Sequence, residues 1–390
     1  MGEGEDGVMA KLGEICTVVS GSTPKTSVAS YWDGSIKWIT PAELNNESFY
    51  ITDSVRHITE EGKEKTGLSS FPAGTVILSS RAPIGKTAIA GCEMCCNQGF
   101  KNLICSEKIY NEYLYFFLKS KTNYLNSLGR GATFKEISKT IVENIEVPLP
   151  DINQQKGIAE KFKKLEELIS LRKQQLAKLD ELVKARFVEM FGTFPANPFR
   201  WSIGKIQDVV SDVRYGSSRP AVEGGKYPYL RMNNITYSGE LDLRDTKRID
   251  IPDSELDKCT VRRGDVLFNR TNSKELVGKT CVYNRDELMV LAGFVIRVRI
   301  NERIRPEVLS AFLNMDFSKR MLIGMCKTAI GQANINAKEL QNIDLYIPPI
   351  ELQDQFVTLK NKIDQQKQTV QQSLEKLELM KKALMQEYFG

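Results

Sequence analysis

Apolar residues recur at alternating intervals of four and three along two long polar segments of this chain. The first segment follows Val147-Pro148-Leu149-Pro150 and the second follows Pro348-Pro349, so each begins where proline breaks the preceding structure. This alternation is the heptad pattern of a coiled-coil helix. The predicted seam positions are Ile158, Phe162, Leu165, Ile169, Leu176, Leu179, Val183 and Met190 in the first segment, and Phe356, Ile363, Val370, Leu374, Leu377, Leu384 and Tyr388 in the second. Each segment is predicted to form one helix, roughly 60 Å long.

The stretch before each helix has a different pattern, in which short apolar runs alternate with glycine, proline and asparagine. Such runs are typical of strands, and an amphipathic stretch that ends at Gly129 indicates a helix. In residues 11–146 the predicted strands are Ile36–Thr40, Thr75–Ser79, Lys86–Ala90 and Leu103–Cys105, and the predicted helix is Asn111–Leu128. The same order recurs in residues 205–344, with a helix at Pro306–Ile323. Each stretch is therefore predicted to be a mixed α/β head.

The chain contains one unit twice. A gapless correspondence at an offset of 198 residues (342 − 144) runs from Asn144-Ile145 and Asn342-Ile343 to Phe191-Gly192 and Phe389-Gly390. A period of this length indicates tandem domain duplication. We predict an α+β fold: a first head at residues 1–146, a first helix at 147–195, a second head at 196–344 and a second helix at 345–390. The two helices would form an antiparallel coiled coil with a pseudo-twofold axis.

Helices this long and polar are not expected to stand alone. One interpretation is a stalk that dimerises with a second chain. The other is that the two helices pair within one chain and hold the heads at a fixed separation. The second is favoured, because each helix begins at an equivalent point after an equivalent head. A molecule of this kind is expected to act on a target that has two halves.

Composition and charge narrow the class of protein. The 390 residues are 41% hydrophobic and 26% charged, as in ordinary soluble proteins. The net charge of +5 lies within residues 196–390, because the charges of residues 1–195 cancel, and it gives a weak bias toward polyanions. No apolar run approaches the length of a membrane span and no secretory segment opens the chain, so a cytoplasmic protein is expected. The acidic, glycine-rich first residues are expected to be an extension before a natural start at Met9.

The eight cysteines are expected to be reduced cytosolic thiols, and plain buried thiols are favoured over a metal site. The cluster Cys92-Glu93-Met94-Cys95-Cys96 has no second pair of ligands at a spacing that suits zinc. No metal site and no bound cofactor are predicted.

Segments that resemble catalytic motifs are incomplete in both copies. Gly85-Lys86-Thr87 and Gly278-Lys279-Thr280 lack the first glycine of a phosphate-binding loop, because Ser80 and Ser273 stand in its place. The only histidine, His57, stands alone, and no acidic cluster suits a two-metal nuclease. We therefore expect no catalytic residue. Two alternatives stay open: a methyltransferase or nuclease with built-in recognition domains, and a coiled-coil scaffold that binds only protein.

Polar and basic residues concentrate in the loops that follow the predicted strands, where such side chains suit base edges and phosphates. In the first head the candidate DNA contacts are Thr23, Lys25, Lys37, Thr40, Ser79, Ser80, Arg81, Lys86, Thr87, Asn97, Gln98 and Lys101. In the second head they are Ser218, Arg219, Arg231, Asn233, Asn234, Asn269, Arg270, Thr271, Asn272, Lys274 and Lys279. Taken singly, each is more simply an ordinary solvated loop residue. The set favours DNA, because Arg81 and Arg270 are expected at one position of the duplicated fold.

With these motifs the chain resembles the specificity (S) subunit of type I restriction–modification systems over residues 11–390. The resemblance rests on Gly21-Ser22-Thr23-Pro24, the run from Tyr31 to Thr40, Gly74–Ala90, Asn97-Gln98-Gly99-Phe100, and the proline break that leads to Gln154-Gln155. In the second head Tyr227-Pro228-Tyr229-Leu230 replaces the tryptophan segment, as expected if the two heads read different sequences.

The resemblance implies that each head is a target recognition domain and that the helices are spacers. It implies a non-catalytic subunit that binds double-stranded DNA with a bipartite, asymmetric target. The implied partners are two modification (M) subunits, which would bring S-adenosylmethionine and methylate one adenine in each half-site, and restriction (R) subunits, which would use ATP and Mg²⁺. No membrane partner is implied.

Overall fold

A computed structural model describes residues 8–81, 83–131, 135–273, 276–329 and 332–390. The chain divides into two compact units. Unit 1 consists of Met1–Arg172 with Ser373–Gly390, and unit 2 consists of Lys173–Gln372. Each unit therefore contains one head together with part of each long helix.

The head of unit 1 is a mixed α/β domain. Its strands are β1 (Met9–Lys11), β2 (Cys16–Val19), β3 (Trp32–Ile39), β4 (Tyr50–Ile51), β5 (Arg56–Ile58), β6 (Val76–Leu78), β7 (Thr87–Ala90), β8 (Cys95–Cys96), β9 (Asn102–Cys105) and β10 (Glu146–Pro148). Its helices are α1 (Leu12–Ile15), α2 (Glu60–Thr66), α3 (Asn111–Ser120), α4 (Thr122–Ser127) and α5 (Lys139–Glu143), with 3-10 turns at Ala29–Tyr31 and Pro41–Glu43. The strands form a five-stranded sheet in the order β2-β9-β6-β7-β4, a three-stranded sheet β5-β3-β8 and the pair β1-β10. All four predicted strands are present with shifted ends.

The long helices are α6 (Ile152–Phe191) and α11 (Ile350–Phe389), each of 40 residues. In unit 1 the ring of Phe162 on α6 stacks on Phe389 of α11 at 5.6 Å, and Arg172 Nε donates to Ser373 Oγ at 3.2 Å. As residue numbers rise along α6 they fall along α11, so the helices pair antiparallel within the chain. The predicted intramolecular coiled coil is confirmed.

The head of unit 2 repeats this plan. Its strands are β11 (Ser202–Lys205), β12 (Val210–Tyr215), β13 (Tyr227–Leu230), β14 (Lys247–Ile249), β15 (Val266–Asn269), β16 (Thr271–Asn272), β17 (Thr280–Val282), β18 (Val290–Leu291), β19 (Val295–Ile300), β20 (Lys327–Ala329), β21 (Gln332–Asn334) and β22 (Asp344–Ile347). Its helices are α7 (Asp253–Cys259), α8 (Pro306–Asn314), α9 (Asp316–Met325) and α10 (Ala337–Gln341), with 3-10 turns at Ile206–Val209 and Met232–Asn234. The sheets are β12-β19-β15-β17, β14-β13-β18, β16-β21-β20 and β11-β22.

The single helix predicted in each head is two helices, which corrects both predictions. In the first head α3 ends at Ser120, and just beyond it the Thr122 hydroxyl donates to the Lys119 carbonyl at 2.9 Å and competes with the helical ladder. In the second head Met315 is extended, with ψ 149°, and its side chain is buried between α8 and α9. A periodic apolar pattern does not report such a local break.

Every predicted seam position is buried or half-buried, as a coiled-coil interface requires. Three fully buried aromatic residues near the helix ends were not predicted: Phe187, Phe191 and Phe389. Phe389 belongs to the core of the first head, and Phe187 and Phe191 belong to the core of the second. Each head is therefore fused to its segment of the helical pair through a continuous apolar core. Among the described residues, no helix has both the length and the apolar character that a bilayer crossing needs.

Candidate nucleic-acid interface

In each head a glycine follows a strand at a point where the chain packs directly against the backbone of a distant segment. Gly21 follows β2 and Gly216 follows β12. A Cβ atom would lie 1.8 Å from the Cys96 oxygen at the first position and 2.2 Å from the Leu291 oxygen at the second. No side chain fits so close an approach, so the recurring glycine has a structural cause.

The Gly-Lys-Thr segments are structural in both heads. Lys86 Nζ donates to the carbonyl oxygens of Pro41 and Leu44 at 3.3 and 2.5 Å. Lys279 Nζ donates to two carbonyls at the equivalent place of the second head, at 3.0 and 2.6 Å. Each lysine thus ties the segment just before β7 or β17 to the 3-10 turn after β3 or β13, and partial burial of Lys279 lowers its pKa.

Backbone hydrogen bonds define which residues of the two heads are equivalent. The carbonyl oxygen of Ser80 accepts from the Ile137 amide at 3.0 Å, and that of Arg270 accepts from the Ile335 amide at 2.9 Å. Arg270 therefore corresponds to Ser80 and not to Arg81. The expectation that the two arginines share one position is wrong by one residue. Successive strand residues point to opposite faces, so this shift changes what each arginine contacts.

The true counterpart of Arg81 is Thr271, and both lie at the edge of their head opposite a second polar residue. Arg81 Nε donates to Glu136 Oε2 at 2.9 Å, and the buried Lys101 reaches Glu136 Oε1 at 3.2 Å. In the second head the Thr271 hydroxyl donates to Asn334 Oδ1 at 3.1 Å. Burial raises the pKa of Glu136, but the hydrogen bonds and charges of Arg81 and Lys101 outweigh burial and hold this pKa below its usual value. The carboxylate is therefore charged at neutral pH.

Arg270 occupies a different environment from Arg81. It is half-buried, its guanidinium lies 4.9 Å from the centre of the Tyr215 ring, and Nη1 donates to the Gly293 oxygen at 3.3 Å. Next to it the Phe294 side chain is 53% exposed. The second head thus presents an arginine that lies over one aromatic ring, that of Tyr215.

The candidate DNA contacts fall into three groups by burial. The buried ones are Ser79, Ser80, Thr87, Lys101, Asn234, Asn269 and Lys279. Because duplex DNA does not reach a side chain inside the fold, we treat these seven as structural residues. Four more candidates are more accessible but bond within the fold. Lys37 bonds to Thr52 O at 2.7 Å and Thr40 to Glu43 at 2.9 Å. Arg219 bonds to Glu255 at 2.7 Å and Arg231 to Asp245 at 3.0 Å.

The remaining candidates are exposed or half-buried: Thr23, Lys25, Arg81, Lys86, Asn97, Gln98, Ser218, Asn233, Arg270, Thr271 and Asn272. Among them, the Thr23 hydroxyl donates to Gln98 Oε1 at 2.5 Å. Lys274 lies outside the described residues. Accessible hydrogen-bond donors and acceptors therefore stand in several loops of each head, and the two sets differ.

Sequence reasoning missed Glu136 and Asn334, which complete this edge. They stand 198 positions apart (334 − 136), so the correspondence found from Asn144 onward would have reached them if it had been extended upstream.

Sequence reasoning also did not predict the role of the repeated glutamine. Gln155 is fully buried, donates to the carbonyl oxygens of Lys108 and Pro150 at 3.0 and 2.8 Å, and accepts from the Tyr110 amide at 2.8 Å.

Gln353 makes the same three bonds in unit 2, at 3.1, 2.8 and 2.8 Å. The two glutamines thus fasten the start of each long helix to its head. Within the part of the chain that the structure describes, no three His, Cys, Asp or Glu side chains are grouped to hold a metal ion.

Comparison with known proteins places this geometry in one family. The model described as "Type I restriction modification DNA specificity domain" matches residues 5–181 and again 200–379. The MjaIX specificity subunit of Methanocaldococcus jannaschii is 33% identical over 276 residues, which are 62% of this chain and 63% of that protein, so the match spans under two thirds of that relative. The EcoKI specificity subunit of Escherichia coli K12 is 25% identical over 378 residues, covering 90% of this chain and 81% of the relative.

Two solved structures share the fold. A chain described in terms of complex assembly and conformational transition of the type I R-M system superposes with a TM-score of 0.61 at 20% identity, over 98% of both chains. The S subunit of a type I restriction–modification system from M. genitalium superposes with a TM-score of 0.56 at 15% identity, over 100% of this chain and 98% of the other.

Proposed function

Because this chain belongs to the type I restriction modification DNA specificity domain family, we propose that it is the DNA-recognition subunit of such a system and performs no catalysis itself. Each head reads one half of a bipartite, asymmetric target in double-stranded DNA. The paired helices set the distance between the two half-sites. Methylation and cleavage belong to partner subunits, which bring S-adenosylmethionine, ATP and Mg²⁺.

One observation carries this proposal. The two heads share the same backbone framework, down to equivalent glycine, lysine and glutamine positions, yet differ where they are exposed. Arg81 stands where the second head has Thr271, and the accessible Phe294 stands in a loop that differs from that of the first head. A conserved framework with divergent exposed edges fits two readers of different sequences, because base contacts specify while the framework only positions.

The long helices suit the docking of modification subunits. In unit 1, Leu168 and Leu171 of α6 are 44% and 51% exposed, and Leu379 of α11 is 69% exposed. These leucines lie outside the coiled-coil seam. We propose these exposed leucines as contacts for a modification subunit.

Head exchange tests whether each head reads one half of the target. The full chain, with residues 200–344 replaced by the second head of another S subunit, is co-expressed with a modification subunit in cells, and methylated adenines are mapped by single-molecule sequencing. We expect one half of the recognised motif to change while the other half stays. Exchange of residues 11–146 is the matched experiment and should change the other half. A change in both halves after either exchange contradicts the proposal.

Catalysis by partner subunits is tested separately. The purified full chain is incubated with target DNA and either S-adenosylmethionine or Mg²⁺. We expect no methyl transfer and no cleavage until partner subunits are added, and turnover by the chain alone would refute a purely recognising role.

A further inference from the structure

The edge of each head carries a pair of polar side chains at one equivalent position. Residues 136 and 334 are related by the offset of the internal repeat, and Arg81 and Thr271 face them across equivalent backbone bridges. The first head has an arginine–glutamate pair there, and the second has a threonine–asparagine pair. The framework is kept while the chemistry of the pair changes.

The first pair has the hydrogen-bonding pattern that complements a G·C base pair. Guanine presents two acceptors in the major groove, O6 and N7, and arginine donates to both, while the cytosine N4 amino group donates to a carboxylate. Arg81 uses Nε for Glu136, so its two terminal nitrogens lie outside that bond. The side chain of Arg81 is 44% exposed and that of Glu136 is 34% exposed. The two terminal nitrogens of Arg81 can therefore donate to guanine while the Glu136 carboxylate accepts from the paired cytosine.

Phosphate is the poorer partner for this arginine. A phosphate bound by Arg81 would approach a carboxylate that already lies 2.9 Å from the guanidinium, and two anions at such a distance repel. A guanine edge offers neutral acceptors and meets no such repulsion. Lys101 binds the second oxygen of Glu136 at 3.2 Å, which fixes the orientation of the carboxylate.

The second pair complements an A·T base pair. Asparagine can bond to adenine N6 and N7 together, and the methyl group of threonine suits the thymine methyl group. Both side chains are half-buried and neither carries charge. The Thr271 hydroxyl donates to Asn334 Oδ1 and thereby orients the amide.

We propose that Arg81–Glu136 and Thr271–Asn334 form one paired reading position in each head, which selects a G·C pair in the first half-site and an A·T pair in the second. This inference rests on the proposed function, since it assigns bases to two heads that read DNA. Arg81, Glu136, Thr271 and Asn334 contact bases, and Lys101 is a positioning residue that acts through Glu136.

Pair exchange is the sharpest test. The full chain carrying Arg81→Thr with Glu136→Asn, together with a modification subunit, is selected against a library of randomised duplexes. Because this exchange removes the partner of Lys101, a second version adds Lys101→Ile, since Ile296 holds the equivalent place in the second head. We expect one position of the first half-site to change from G·C to A·T, and the reciprocal Thr271→Arg with Asn334→Glu to change one position of the second half-site from A·T to G·C.

Single substitutions keep the test independent of folding. Arg81→Lys retains the charge and loses the fork, so it should reduce preference for G·C at that position about tenfold, with the slope of affinity against salt unchanged. Glu143→Gln controls for the loss of a surface ion pair elsewhere in the same head, because Glu143 pairs with Lys139 at 3.6 Å and is 35% exposed. It should leave the preference unaltered.

Three results separate the possible outcomes. An unchanged base preference in both exchanges overturns the proposal and leaves the pairs as ordinary surface contacts. A uniform loss of affinity on all duplexes, with a lower salt slope, also overturns it and makes Arg81 a phosphate contact. If the unsubstituted complex enriches no sequence, the proposed function itself has failed, and that result is visible before any variant is compared.

Discussion

Replacement of Gln155 by alanine should destabilise unit 1, because this side chain bonds the start of α6 to the head. The substitution removes three hydrogen bonds, each of which contributes a net stabilisation of about 1 kcal/mol. It also leaves the Tyr110 amide without its acceptor, at a position that is partly shielded from water. We expect a loss in the free energy of unfolding of about 2–4 kcal/mol, from the net bonds plus part of the cost of the unpaired amide.

This loss converts into a measurable shift in melting temperature. For a unit of this size, with roughly 190 residues, 1 kcal/mol corresponds to about 2–4 °C, so the transition should fall by about 4–16 °C. The assay is calorimetry of the full chain, combined with hydrogen exchange read from peptides that cover Lys108 and Tyr110. Exchange should accelerate at those peptides.

Gln154→Ala is the control, because Gln154 is the adjacent glutamine on the same turn and is exposed. Gln353→Ala should reproduce the effect in unit 2, with Gln355→Ala as its exposed control. If Gln155→Ala melts within about 1 °C of Gln154→Ala and exchange at Tyr110 is unchanged, the three bonds do not stabilise the junction and the reasoning is refuted.

Three further predictions concern the helices and two lysines. Deletion of one heptad from the paired helices should alter the gap between half-sites, or abolish binding, without changing the bases in each half; an unaltered gap at full activity in mapped methylation would exclude the helices from setting the distance. Burial, with the charges of Lys184 and Lys279, lowers the pKa of Lys319 to about 7 in the folded protein. Between pH 7 and about 10.4 the unfolded chain therefore binds more protons at this lysine than the folded chain does. The urea midpoint of unfolding should rise with pH in the unsubstituted protein and rise less in Lys319→Met. Lys86→Met should cost about 1–3 kcal/mol of stability by orphaning two carbonyls, measured by urea unfolding, whereas Lys25→Met, at an exposed position, should leave stability within about 0.5 kcal/mol.

The helical half of the fold could be predicted almost completely from the sequence. The seam from Ile158 to Met190 is a local pattern, and a local pattern determines which face of a helix is buried without knowledge of its partner. Pairing within the chain followed from the duplication, since equivalent helices begin after equivalent heads. The prediction was incomplete at the ends of the helices. Phe187, Phe191 and Phe389 are buried there by the cores of the heads and not by the heptad seam.

The candidate interface could be predicted only in outline. The sequence located the loops and exposed arginines such as Arg81, but it also included Lys86 and Lys279, whose ammonium groups bond to backbone carbonyls of their own heads. Lysine in a loop looks the same in sequence whether it faces DNA or a carbonyl. Burial depends on which distant segment packs over the side chain, and that information is not local.

The sequence by itself determined the duplication, the two long helices, the mixed heads and the family, because each depends on residue spacing along the chain. Only the tertiary structure decided that Arg270 corresponds to Ser80, that Arg81 pairs with Glu136, and that Thr271 and Asn334 occupy the same place in the second head. The physical reason is the pleat of a strand. A shift of one residue moves a side chain to the opposite face, and only the hydrogen bonds between segments far apart in the chain define that register.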